Sequence, residues 1–280
     1  TRLVAADANS IAEMVGNVQS YDSATLGSLA QINTHSYNGS NSDRKTLRTL
    51  ATQAGKRLWQ SETGPSAMSG KPLFDVAIWS ASLIVKDLRD LGAEAWVDWQ
   101  VAGGGIWGVI DYNASTQTSQ MNKKGFAYAQ FSRYIRPGAI ILGSGDSNTV
   151  AAYQPGTGAL ILVVVNPGDA AADYAFDLSR FSGRPASARA YRTSSTEDIK
   201  SLGAIALTGT ALAAQMPARS VTTFVMDGVT SAILPRSRAV IGSARRFLPG
   251  SAIATPVYGT SKGVCCLDAA GRLAPPGLAE

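Results

Sequence analysis

Residues 56–64, Lys56-Arg57-Leu58-Trp59-Gln60-Ser61-Glu62-Thr63-Gly64, hold a short apolar core that runs into a hydroxyl and a carboxylate and is closed by glycine. Such a run reads as a strand whose far end opens into polar groups. Three other stretches have the same shape: 3–6 end at Asp7, 30–33 run into His35, and 95–97 end at Asp98 and Trp99. Amphipathic stretches separate them. The clearest is 73–91, where Leu73, Ala77, Ile78, Ala81, Ile84, Val85 and Leu88 recur at helical spacing and Gly92 supplies the stop. This alternation predicts β/α units around a parallel sheet over 1–137.

Beyond Gly138 the texture changes. Apolar strands at 159–166, 172–177, 186–193 and 220–227 are separated by Gly, Pro, Asn and Asp turns, which predicts an antiparallel β-sandwich or barrel over 138–229. The boundary falls at a helix over 123–134 that Arg136-Pro137-Gly138 closes. From 230 to 280 the periodicity fades into Ala, Gly, Pro, Ser and Arg, so a low-order tail is expected there, and a native tail and one outside the native design fit that composition equally.

Composition narrows the function classes. A chain of 280 residues with 45% apolar content can build a sizeable core. Its net charge of +5 is scattered and is inflated by Arg236, Arg238, Arg245 and Arg246, with no basic stripe carrying interleaved aromatics, so no nucleic-acid partner is expected. The longest apolar runs, such as 160–165, fall far short of the roughly 20 residues of a membrane span, and no membrane partner is expected. No leader stands at Thr1, so a signal peptide is absent or already removed. Cys265 and Cys266 are adjacent and His35 is the only histidine, which leaves neither a disulfide framework nor a metal cluster. Gly103-Gly104-Gly105 lacks the lysine and spacing of a phosphate loop, and no cofactor is implied.

In parallel β/α barrels the functional groups gather at the carboxyl ends of the strands. Asp7, Asn33, His35, Tyr37, Gln60, Glu62, Asp98, Trp99 and Gln100 all fall at such ends here. Carboxylates, amides and aromatic rings together suit a carbohydrate, because rings stack on sugar faces while the polar groups bind hydroxyls. Trp107 follows the last strand, and with Trp99 it reads as a sugar platform. Trp59, Trp79 and Trp96 fit inward or helix-facing positions better.

The 56–64 segment resembles the seventh barrel strand of glycoside hydrolase family 30. Residues 32–37 (Ile-Asn-Thr-His-Ser-Tyr) are similar to the family's sixth strand and 95–100 (Ala-Trp-Val-Asp-Trp-Gln) to its eighth, while 124–138 resemble its last barrel helix. The likeness runs from about residue 1 to 229. It implies an α/β chain comprising strands five to eight of a (β/α)8 TIM barrel, over 1–137, followed by the family's β-sandwich. The Leu-Trp-Gln-Ser-Glu form and the eighth strand look most like the endo-β-1,6-galactanase branch.

The resemblance makes Glu62 the catalytic nucleophile and gives His35, Tyr37, Asn33, Asp98, Trp99 and Trp107 places in the substrate pocket. By residue type alone, His35 reads as a core imidazole, Tyr37 as an orienting donor or a satisfied hydroxyl, and Asp98 as a sugar ligand or half of an ion pair. The family's acid/base Glu ends the fourth strand in an Asn-Glu pair, and no Asn-Glu dipeptide occurs in this chain. The implied reading is a chain beginning at the fifth strand, with the acid-bearing half upstream of Thr1 and two open sheet edges that invite self-association or pairing with the missing half. Asp7 or Asp98 as a substitute acid is expected to sit on the wrong strand. A secreted enzyme cutting a β-linked polysaccharide is implied; the rivals are a non-catalytic carbohydrate-binding or assembly protein, and a family member acting on xylan, β-1,6-glucan or a β-glucoside.

Overall fold

The computed structural model describes residues 3–230 and the backbone of 242–247. Four parallel strands lie in sequence order: β1 (Leu3–Ser10), β2 (Leu29–Asn38), β3 (Arg57–Thr63) and β4 (Trp96–Asp98). Helices α1 (Ile11–Ser20) and α2 (Ser23–Ser28) join β1 to β2, and α3 (Asn41–Gln53) joins β2 to β3. Helix α4 (Leu73–Lys86) and a wider π-type turn at Asp87–Leu91 lead to β4. Three of the four starts are capped by side chains: Ser10 caps α1, Asp22 caps α2, and Ser40 and Asp43 form a reciprocal capping box on α3. Gly92, at φ 69°, closes the third crossover in the left-handed conformation that glycine takes without strain.

Alternation along the strands divides the sheet into two faces. Ile32 and Leu58 join Ile11, Met14 and Val18 of α1 and Leu47 and Ala51 of α3 in one buried cluster. The alternate residues Asn33, His35, Tyr37 and Trp59 therefore occupy the face away from those helices. This division positions the candidate site.

Next come a hairpin of β5 (Ile110–Asn113) and β6 (Thr118–Met121), and then α5 (Lys123–Ser132). The following strands are β7 (Ile140–Leu142), β8 (Thr149–Gln154), β9 (Ala159–Asn166), β10 (Ala172–Asp177), β11 (Ser187–Thr193), β12 (Lys200–Ala206), β13 (Ala211–Met216), β14 (Ser220–Met226) and β15 (Gly242–Phe247). Six form an antiparallel sheet in the order β12-β11-β14-β9-β8-β7, and three form a smaller one in the order β13-β10-β15. Leu160, Leu162 and Val164 of β9 face the smaller sheet, where Tyr174, Phe176, Leu212 and Met216 complete a core. Ile161, Val163 and Val165 face α4 and α5 instead, against Ile78, Ala81, Ile84 and Phe131. Burial on both faces explains why β9 is a continuous apolar run without the alternation of a half-exposed strand.

The low-order tail expected over 230–280 lies outside the described residues, except at Thr230 and β15. Gly242–Phe247 pair antiparallel with β10, so those six residues form a strand where fading periodicity suggested none.

Candidate active site

Two neighbouring irregularities shape the carboxyl end of the parallel sheet. Pairing of β1 with β2 steps from Ala6↔Asn33 to Ala8↔Thr34, leaving Asp7 as an extra residue. Pairing of β2 with β3 steps from Thr34↔Gln60 to His35↔Glu62, leaving Ser61 extra. Both are β-bulges at the level of Thr34, and the side chains of the two inserted residues meet, with the Ser61 hydroxyl donating to the Asp7 carboxylate. Asp7 holds φ at 60°, a conformation that aspartate tolerates better than most residues. The bulge at Ser61 also breaks the alternation that would carry Glu62 to the helix-facing side with Leu58 and Gln60. Glu62 is turned instead to the face of His35 and Tyr37.

On that face the Tyr37 hydroxyl donates to Glu62 Oε1 at 2.9 Å. His35 Nδ1 lies 3.7 Å from the same oxygen and Nε2 lies 3.6 Å from Asp7 Oδ1, so the imidazole stands between two carboxylates beyond hydrogen-bond distance of either. The His35 and Tyr37 rings meet edge to face with centroids 5.9 Å apart. Burial pushes the Tyr37 phenol up to about 12, reinforced by its hydrogen bond to Glu62 and by the charges of Glu62 and Asp98. Tyr37 is therefore a fixed proton donor to Glu62 at any physiological pH, leaving Oε2 without a hydrogen-bond partner among the described residues.

Tyr37→Phe follows from this geometry. A hydrogen bond to a charged group contributes about 1.5–3 kcal/mol, so loss of the donor is expected to slow reaction at Glu62 about 10- to 100-fold. The same variant tests a linkage effect. The folded-state phenol titrates above its ordinary value of 10.0, at about 12, so its contribution to stability is complete below pH 10 and is lost as pH rises through 12. Urea titrations between pH 10 and 12 should show a shallower loss of stability in Tyr37→Phe than in the unaltered chain.

The remaining expected site residues divide. Trp99, half-exposed after β4, is held by its backbone N–H to the Thr63 carbonyl at 2.7 Å. The Trp107 ring lies over Gly64, where a Cβ would come within 2.9 Å of the ring and 2.6 Å of the Trp99 carbonyl oxygen. Glycine is thus required at 64 for space, and Gly64→Ala is expected to cost about 1–3 kcal/mol by forcing the two strand ends apart, measurable by urea denaturation. Asn33 is buried and accepts from the Gln31 amide at 2.6 Å, inside the sheet face and short of its mouth. Gln60 is turned to the other face, where its Oε1 accepts the Val97 N–H at 2.8 Å and braces β3 against β4.

Asp98 has both oxygens engaged within the protein. Oδ2 accepts from Lys124 Nζ at 2.9 Å and Oδ1 from the Tyr128 hydroxyl at 2.6 Å. Its side chain is only 9% exposed, so the geometry is that of the ion pair and leaves no free oxygen for a sugar hydroxyl. Burial pushes the Asp98 carboxyl up, while Tyr128 and Lys124 pull it back. Lys124, Tyr128 and Ser61 were not picked out from the sequence, because pairings across 26, 30 and 54 residues leave no local signal. Among the described residues no three His, Cys, Asp or Glu side chains converge as metal ligands.

No family model matches the chain. It is 36% identical over 179 residues to an endo-β-1,6-galactanase of Hypocrea rufa, an alignment covering 64% of this chain and 36% of the relative. It is 24% identical over 127 residues to glucuronoxylanase XynC of Bacillus subtilis, covering 44% and 30%. Its fold superposes on a family 30 endoxylanase of Clostridium papyrosolvens with a TM-score of 0.65 at 23% identity, covering 81% of this chain and 56% of that one. The α/β fold and the carboxylate at its strand end thus define a relative of the glycoside hydrolases. Within that class, the fold is shared with solved family 30 structures and the sequence is similar to the endo-β-1,6-galactanase. It spans about a third of the length of the curated relatives it matches.

Proposed function

We propose that Glu62 is the nucleophile of a retaining glycoside hydrolysis, and that β1 to β4 are the fifth to eighth strands of a (β/α)8 barrel followed by a β-sandwich. The observation that carries this reading is the Tyr37–Glu62 hydrogen bond at the carboxyl end of a parallel strand. It orients one carboxylate oxygen and leaves the other for an anomeric carbon. Glu62 attacks that carbon, the bond to the leaving oxygen breaks as the oxygen takes a proton from an acid, and water then resolves the glycosyl ester with retention.

Retaining chemistry places the second carboxyl about 5–5.5 Å from the nucleophile. Asp7 is separated from Glu62 by the His35 ring and Asp98 is engaged by Lys124 and Tyr128, so neither is assigned as the acid. The outer edges of β1 and β4 are unpaired among the described residues, and Leu3, Val4, Val97 and Val101 are exposed near them. We read these edges as the places where further barrel strands pair, bringing the acid opposite Glu62. The substrate is a β-linked polysaccharide, with β-1,6-galactan favoured by the Hypocrea rufa relative and export from the cell proposed on the same likeness.

The test is hydrolysis of β-1,6-galacto-, β-1,6-gluco- and β-1,4-xylo-oligosaccharides by the chain together with the separately expressed N-terminal part of that relative. Cleavage of the galacto-oligosaccharide with retention, read by NMR of the first-formed anomer, supports the reading. Inversion, or cleavage that survives loss of Glu62, rejects it. Sugar binding without turnover would favour the non-catalytic carbohydrate-binding alternative.

A further inference from the structure

We infer that Lys124 is a positioning residue for the aromatic lip of this site, holding Trp107 and Trp99 where they contact a sugar bound at Glu62. The inference rests on the carbohydrate reading of the site and adds a role for a residue on α5. Lys124 is 2% exposed, and a lysine so deeply buried is stable only with partners for its ammonium. Nζ donates to Asp98 Oδ2 at 2.9 Å and to the Trp107 carbonyl at 2.6 Å. The same carbonyl accepts the Gln100 N–H at 3.1 Å.

One ammonium therefore joins the residue immediately before Trp99 to the backbone of Trp107. The segment between them contains Gly103, Gly104 and Gly105, and Gly108 follows it; their chain entropy works against a fixed shape. Backbone bonds such as Gln100 N–H to the Trp107 carbonyl and Gly103 N–H to the Ile110 carbonyl close it on itself, and α5 adds side-chain contacts from outside. Lys124 holds the Trp107 carbonyl while Asn122, which caps the helix, donates to the neighbouring Gly108 carbonyl. Anchored in this way, the Trp107 ring lies over Gly64, two residues beyond Glu62. Release of the clamp would free the ring from the strand that carries the nucleophile while leaving Glu62 and its Tyr37 donor in place.

The test compares the chain with Lys124→Met, with Lys124→Met combined with Asp98→Asn so that no buried carboxylate is orphaned, and with the conservative Lys124→Arg. Two readouts are used: the indole N–H resonance of Trp107 in a 15N spectrum, assigned with Trp107→Phe, and the labelling of Glu62 by 2,4-dinitrophenyl 2-deoxy-2-fluoro-β-galactoside. The Trp107 resonance should move toward the free-indole position in both Met variants and less in Lys124→Arg. The half-saturation concentration for labelling should rise about tenfold or more, with a much smaller fall in the maximum rate. An unmoved Trp107 resonance overturns the role of Lys124 whatever the labelling shows, and so does a loss confined to the maximum rate. A Trp107 that responds to Lys124 in a chain that is never labelled upholds the anchor and instead overturns the reading of Glu62.

Discussion

Glu62→Gln is expected to reduce cleavage of an activated aryl β-galactoside by about 10⁴- to 10⁶-fold, the scale seen when a covalent nucleophile is removed. The substitution preserves shape, and the amide oxygen still accepts the Tyr37 hydroxyl, so the circular dichroism spectrum should not change. What is lost is the anionic oxygen that forms the glycosyl ester. A leaving group such as 2,4-dinitrophenolate departs without protonation, so its release depends on the nucleophile and not on the acid. Glu62→Ala offers a stereochemical check. Azide entering the vacated space attacks the same face as Glu62 would, and the product is the α-glycosyl azide. Recovery of the β-azide would place Glu62 in the role of acid/base and reverse the assignment.

Asp87→Ala is expected to destabilise the chain by about 3–5 kcal/mol, because it leaves a buried guanidinium without its counter-ion. Asp87 is fully buried in the turn after α4, and Arg44 of α3 is 3% exposed. The Arg44 Nε donates to Asp87 Oδ1 at 2.8 Å, while Trp96 Nε1 and Ser36 Oγ donate to Oδ2 at 2.9 and 2.8 Å. One carboxylate thus ties β2, α3 and β4 together, and Ser36 lies between His35 and Tyr37. Urea denaturation should show the full loss in Asp87→Ala, and Arg44→Met with Asp87→Leu should recover much of it because no buried charge is then orphaned. A shift below about 1 kcal/mol in Asp87→Ala would mean that water replaces the carboxylate at little cost.

The parallel half of the chain was legible because its strands carry buried apolar residues and its crossover helices carry spaced ones. The helix expected over 73–91 with its stop at Gly92 matches α4 and the turn that follows it. Strands β9 and β10 fall at the expected 159–166 and 172–177. Strand β12 could not be read: its Lys200, Ser201 and Gly203 are those of an exposed edge, and burial patterning is weak there. The β5–β6 hairpin was missed for a related reason, since every residue of β6 is exposed. At the site, alternation alone would have sent Glu62 to the helix side. Its true direction depends on a bulge, and a register shift between strands leaves no mark in either strand's own sequence. The buried polar ties, Arg44 to Asp87 and Lys124 to Asp98, join residues 43 and 26 positions apart and are likewise invisible to local pattern.

The most direct test of Glu62 as nucleophile is covalent trapping of the 280-residue chain with 2,4-dinitrophenyl 2-deoxy-2-fluoro-β-galactoside, followed by mass spectrometry of the intact chain and its peptides. The fluorine at C2 slows hydrolysis of the ester more than the departure of dinitrophenolate requires, so the adduct accumulates. The expected result is one fluorogalactosyl group on the peptide that contains Leu58-Trp59-Gln60-Ser61-Glu62, carried by Glu62. A label on Asp7 or Asp98 instead would contradict the account, because the attacking oxygen would then belong to a carboxylate that this structure holds away from that role.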